Sequence, residues 1–168
     1  MNFRKIFQAA VLLPSLCLGG CLSTIFGSKE ERSDDYSLPT PSAGWEKIDP
    51  ADADSAFRNK KDKAILSVSS ICGQDRFRSL EELSGDVLRQ LPGAVTVGTP
   101  QARQIDGNPG MITEAEGQVD GNPMKVRLAV IRTSQCLYDI ILAGDTLDAS
   151  SQAAFDSAVG GFRERSKR

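Results

Sequence analysis

The sequence predicts an α+β fold: an antiparallel β-sheet with one helix after its third strand and one at the C-terminus. Three observations carry this. Two stretches, Met124 to Thr133 and Cys136 to Ala143, place apolar residues on both of their faces, as strands do when both faces are at least partly covered. A helical stripe of Leu80, Leu83, Val87, Leu88 and Leu91 follows the first group of strands. A second stripe, Phe155, Ala158, Val159 and Phe162, closes the chain.

The 168 residues, 40% hydrophobic and 25% charged, suffice for one domain with a core and something extra. A formal net charge of −2 gives no basic footprint for a nucleic acid. The chain has no His, which removes the commonest general base and the commonest zinc ligand. No metal or cofactor is expected. Four Cys need a redox compartment to explain them.

Residues 1–20 read as a secretory signal. Arg4 and Lys5 precede an apolar run, Ile6 to Leu18, that Gln8, Pro14 and Ser15 interrupt. The run is too short to span a bilayer of about 30 Å, and no longer apolar run follows. Its end, Leu18-Gly19-Gly20-Cys21, resembles the bacterial lipobox. That resemblance implies cleavage between Gly20 and Cys21, then acylation of Cys21 on its thiol and its new amine. At about 0.8 kcal/mol per buried methylene, three acyl chains hold a protein to the lipid bilayer almost irreversibly. Leu22 stands where an Asp favours retention in the inner membrane, so the outer membrane is the expected address. The mature chain carries 18 basic and 22 acidic residues, and the anchor rather than its charge holds it to lipid.

Residues 21–44 read as the lipidated Cys and a flexible tether. Ser28 to Asp35 is polar and charged, and Leu38-Pro39-Thr40-Pro41-Ser42 has linker composition. A flexible chain of this length spans about 25 Å on average. The globular domain is expected over 45–164, with a basic tail at 165–168.

Within the domain, Trp45 to Ile48 and Ser55 to Asn59 read as strands, and Lys60 to Lys63 as a turn. Ala64 to Cys72 is the third strand, with Leu66, Val68 and Ser70 on one face and Ile65, Ser67, Ser69 and Ile71 on the other. Ser79-Leu80-Glu81-Glu82 has capping-box form, and Pro92-Gly93 stops the helix. A strand follows over Ala94 to Ile105, bent near Gly98 or Pro100. Then Ile105-Asp106-Gly107-Asn108-Pro109 is echoed by Val119-Asp120-Gly121-Asn122-Pro123, two hairpin turns bracketing a strand from Met111. They lack the calcium-loop spacing and its distal Glu. Asp148 or Ser150 caps the last helix. Gly160-Gly161 weakens that helix by about 1 kcal/mol per Gly, which close packing on the sheet must offset. The cations Arg163, Arg165, Lys167 and Arg168 favour a helix C-terminus.

This order of elements resembles the PsbP-like fold, an α/β/α sandwich. The resemblance rests on Ile65 to Cys72 before the helix at Ser79, the Asp-Gly turns, Cys136-Leu137-Tyr138-Asp139 opening the last long strand, and Phe155 to Phe162. It implies a binding, assembly or accessory protein, and brings no enzyme motif.

Cys17 leaves with the signal and Cys21 takes lipid. Cys72 and Cys136 remain, both at strand boundaries, and a disulfide between them suits an oxidising compartment. No Cys-x-x-Cys motif supports a redox pair. The function expected is a non-enzymatic envelope lipoprotein that binds another envelope protein or assists its assembly. The alternative is a periplasmic carrier or sensor with a small-ligand pocket between helix and sheet. Ser69, Ser70, Asp75 and Asp139 are hydrolase candidates without a His or a Lys-paired Ser to activate them. Glu114 and Glu116 share a strand face and read as a solvated face rather than a catalytic carboxylate pair.

Overall fold

The computed structural model describes residues 32–50, 52–73 and 78–165. The expected signal peptide, the lipobox-like stretch with Gly20 and Cys21, Asp75 and residues 166–168 lie outside the described residues. The elements in chain order are β1 (Tyr36–Ser37), β2 (Trp45–Ile48), β3 (Ser55–Asn59), β4 (Ile65–Cys72) and α1 (Leu80–Leu88). They continue with β5 (Val95–Ile105), β6 (Asn108–Val119), β7 (Asn122–Arg132), β8 (Cys136–Gly144), α2 (Ala149–Gly161) and β9 (Arg163–Glu164). Seven strands form one antiparallel sheet in the order β2-β3-β4-β8-β7-β6-β5. The fold is α+β, an α/β/α sandwich.

The alternation read from the sequence places the two core layers. Tyr138, Ile140 and Leu142 of β8, with Leu66 and Val68 of β4 and Ile131 of β7, meet Phe155, Ala158, Val159 and Phe162 on one face. Leu137 of β8 and Val126, Leu128 and Val130 of β7 meet Leu83 and Leu88 of α1 on the other. Fully burying one such side chain contributes about 1.5–3 kcal/mol. α2 therefore lies over β8, while α1 lies over β6 and β7.

The turns and caps follow local chemistry. Asp106 and Gly107 both have positive φ, as do Asp120 and Gly121, the backbone a tight two-residue hairpin needs. Ser79 Oγ accepts from the Glu82 amide at 3.1 Å, and Glu82 accepts from the Ser79 amide at 3.0 Å, completing the capping box. Asp148 caps α2 through the Ser151 amide. α1 ends at Leu88, short of the expected stop at Pro92. Leu91 still joins its core layer from the turn that follows.

The expected tether needs correction over residues 32–39, which pack on the domain. β1 pairs with β9, Tyr36 opposite Glu164, and the Arg165 amide donates to Asp35 O at 2.7 Å. The boundaries expected at residues 45 and 164 are therefore both displaced outward. The physical cause is aromatic. Tyr36 meets the edge of Tyr138 at 5.4 Å and stacks on Phe162 at 6.4 Å, and Leu38 packs on the same core. Pro39 lies so close to Gly161 that a Cβ there would overlap its ring. This contact accounts for Gly161; a Cβ at Gly160 would meet nothing, so packing does not require that glycine.

Replacing Gly161 by Ala is expected to destabilise the domain by about 1–3 kcal/mol through overpacking, despite the better helix propensity. In a Pro39→Gly background the same change is expected to cost less. Urea unfolding of the four chains of this cycle measures both effects.

Candidate functional site

Cys72 and Cys136 are register partners at the end of the β4–β8 ladder, and their sulfurs are joined in a disulfide. Thr133 Oγ1 accepts from the Cys136 amide at 3.0 Å and donates to Cys136 O at 3.0 Å, fixing the turn that presents this Cys. The bridge thus staples the two strands beside the strap made by residues 32–39. There Ser70 Oγ accepts from the Ser33 amide at 2.7 Å. Ser33 Oγ lies 3.1 Å from the Tyr138 hydroxyl, which lies 3.5 Å from Glu164 Oε1. Burial pushes the Tyr138 hydroxyl up from its ordinary value.

Ser69 and Ser70 point to opposite faces of β4, so the structure separates them. Ser70 is spent on the strap. Ser69 stands opposite Asp139 across the β4–β8 ladder. Burial pushes the Asp139 carboxyl up to about 7. Among the described residues no His, Lys or Arg is hydrogen-bonded to either of them. The pair therefore has an acid and a hydroxyl but no described base to activate the hydroxyl.

Glu114 and Glu116 each meet a cation on β7. Glu114 is the register partner of Arg127, and Glu116 that of Lys125. Arg127 is the polar centre of this face. Its Nε lies 3.1 Å from Glu114 Oε1, an ion pair without hydrogen-bond alignment, and its Nη1 lies 3.1 Å from Asp156 on α2. Its guanidinium sits 4.7 Å over the Phe155 ring, and only 17% of the side chain is exposed. Beside it, between α2 and β5, runs a groove of about 340 Å³ lined by Val97, Gln101, Arg103, Glu114, Arg127 and Asp156. This hub escaped the sequence reading. The signal for it is that Arg127 stands between Val126 and the apolar run Leu128 to Ile131, while the strand's other basic residues, Lys125 and Arg132, lie nearer its ends.

The free edge of this groove is β5, where Val95 is 67% and Val97 46% exposed. Its register with β6 shifts between Val97 and Gln101, over Gly98 and Pro100. A bulge and a proline on an edge strand interrupt the ladder and oppose pairing with another chain. At the centre of the core, Ile131, Tyr138, Ile140, Phe155 and Phe162 on one face of the sheet and Leu128 on the other have essentially no exposed surface.

No protein-family model matches the chain, and neither does any curated protein. Solved structures do. LpqN of Mycobacterium tuberculosis, described as involved in cell envelope biogenesis, aligns with a TM-score of 0.63 at 14% identity, over 83% of this chain and 87% of its own. A protein from Bacteroides thetaiotaomicron VPI-5482 aligns with a TM-score of 0.57 at 11% identity, over 79% of this chain and 46% of its own. A protein of unknown function, PA94 from Pseudomonas aeruginosa, aligns with a TM-score of 0.50 at 14% identity, over 78% and 88%. At these identities the likeness defines a fold class: an α+β sandwich shared with proteins of several bacteria.

Two outcomes follow from this chemistry. The folded Asp139 holds its proton to about pH 7, whereas an unfolded Asp releases it near 3.9. Between these values the native state binds more protons, so stability falls as pH rises from about 4 to about 7. Asp139→Asn is expected to flatten that slope and to gain up to about 4 kcal/mol at pH 8, measured by urea unfolding at both ends of the range. Reduction of Cys72–Cys136 is expected to lower the melting temperature, since closing so long a loop stabilises by up to about 4 kcal/mol. Two reactive thiols in the unreduced, denatured domain would contradict the bridge.

Proposed function

We propose that this chain is a lipid-anchored protein of the bacterial cell envelope. It has no catalytic chemistry of its own and binds another envelope protein or assists its assembly. The observation that carries the reading is the Cys72–Cys136 bridge in register across the central strands. It suits an oxidising compartment, and the lipobox-like Leu18-Gly19-Gly20-Cys21 is the signal that would deliver the chain there. The likeness in fold to LpqN, a protein of envelope biogenesis, agrees with this, as does the PsbP-like order of elements. Leu22 favours the outer membrane, periplasmic face, over the inner one. The ligand-carrier reading draws no support from the centre of the core: Tyr138, Ile140, Phe155 and Phe162 on one face of the sheet and Leu128 on the other have essentially no exposed surface.

The test is metabolic labelling with an alkyne analogue of palmitate, followed by membrane fractionation. The wild type is expected to take label and to sediment with outer-membrane markers. Cys21→Ser is expected to lose the label. An unlabelled wild type would overturn the anchor. Crosslinking in cells, with the recovered protein identified by mass, then tests the partner: a recurring envelope protein is expected, and none at all would argue against binding.

A further inference from the structure

We propose that in the anchored protein one end of the sheet faces the bilayer. This is the end that carries Ser70, Cys72 and Cys136; the Lys60–Lys63 turn points away. The inference rests on the lipid-anchor reading and adds an orientation to it. Its physical basis is the strap. Arg32 donates to Asp54 Oδ1 at 3.1 Å and to Asp52 O at 3.0 Å. The Ser33 amide donates to Ser70 Oγ at 2.7 Å, and Ser33 Oγ lies 3.1 Å from the Tyr138 hydroxyl. Asp54 precedes β3, Ser70 is near the end of β4 and Tyr138 near the start of β8, so all lie at one end of the sheet. The C-terminal segment is held there too, because the Arg165 amide donates to Asp35 O at 2.7 Å.

Length decides the matter. Only residues 22–31 lie between Cys21 and Arg32, and ten residues reach at most about 35 Å. A leash running to residue 44 would reach about 80 Å, long enough for any orientation. β4 alone is about 26 Å long at 3.3 Å per residue, and the turns add to it. Turning the domain over would lift Arg32 at least that far from the bilayer, about three quarters of the contour of ten residues before the turns are added. A chain so extended forfeits much of its conformational freedom, so the strap end stays down.

The protein supplies its own probe. Trp45 is its one tryptophan. It stands opposite Asn59, beside the Lys60–Lys63 turn and so at the far end. The chain from Cys21 onward, its disulfide intact, is conjugated through Cys21 to a maleimide-headgroup lipid. The vesicles are phosphatidylcholine with dansyl-labelled phosphatidylethanolamine. Energy transfer from Trp45 is compared with transfer in a Trp45→Phe, Gln135→Trp chain, whose donor sits on the exposed turn next to Cys136. The second chain is expected to transfer at least threefold more efficiently. Equal transfer, or more from Trp45, would overturn the orientation. Inserting ten Gly/Ser residues between Ser28 and Lys29 leaves the domain untouched and is expected to bring the two donors toward equality. An unchanged ratio would show that the strap is not the cause. Chemical conjugation makes this result independent of whether cells acylate Cys21, so the two readings fail separately.

Discussion

A strand that is apolar on both sides cannot lie at a surface, and β8 is such a strand. Tyr138, Ile140 and Leu142 look one way and Leu137 and Ile141 the other. Each face must be covered, so β8 is central, flanked by β4 and β7, with a helix layer above and below. The antiparallel connections then need only short turns, which the two Asp-Gly pairs and the Thr133–Cys136 corner supply. The disulfide joins the first residue of β8 to the last of β4. It therefore fastens the strand on which the layers depend to the neighbour most distant from it in sequence.

The two helices cover different parts of the sheet, α2 near β8 and α1 over β6 and β7. Beyond α2, toward β5, the sheet turns polar, and Arg127 marks the transition. Its stem and guanidinium lie on Phe155, and its charge is balanced by Glu114 and Asp156 from two different elements. An arginine so placed closes the edge of an apolar core without leaving a buried charge unpaired.

Much of this was legible in the sequence, for a physical reason. Strand faces, capping boxes and Asp-Gly turns are decided by residues within four positions of one another. The faces of β4, β7 and β8 and the Ser79 cap accordingly match their reading. Contacts made across the chain carry no such mark. Ser33 finds Tyr138 at a separation of 105 residues, and Tyr36 finds Phe162 further still. The strap reads as a linker because its apolar anchors, Tyr36 and Leu38, are few and its other ties run through hydroxyls and backbone groups, which look the same in a sequence as solvation. Arg127 and the Ser69–Asp139 pairing were hidden for a related cause. One needs the approach of a helix and the other a strand register.

The pairing of β1 with β9 has one more consequence, a mechanical one. Any pull on the N-terminus falls first on the side-chain ties of Arg32 and Ser33 to Asp54, Ser70 and Tyr138, then on the two-residue β1–β9 ladder and the Tyr36 contacts, before it draws on the strand pairing of the seven-stranded sheet. Strap and sheet are in series, and the smaller yields first. Peeling the strap as far as residue 44 would free a segment of about 40 Å contour while the disulfide-stapled sheet stayed folded. The strap thus acts as a fuse, giving way under load ahead of the structure it fastens.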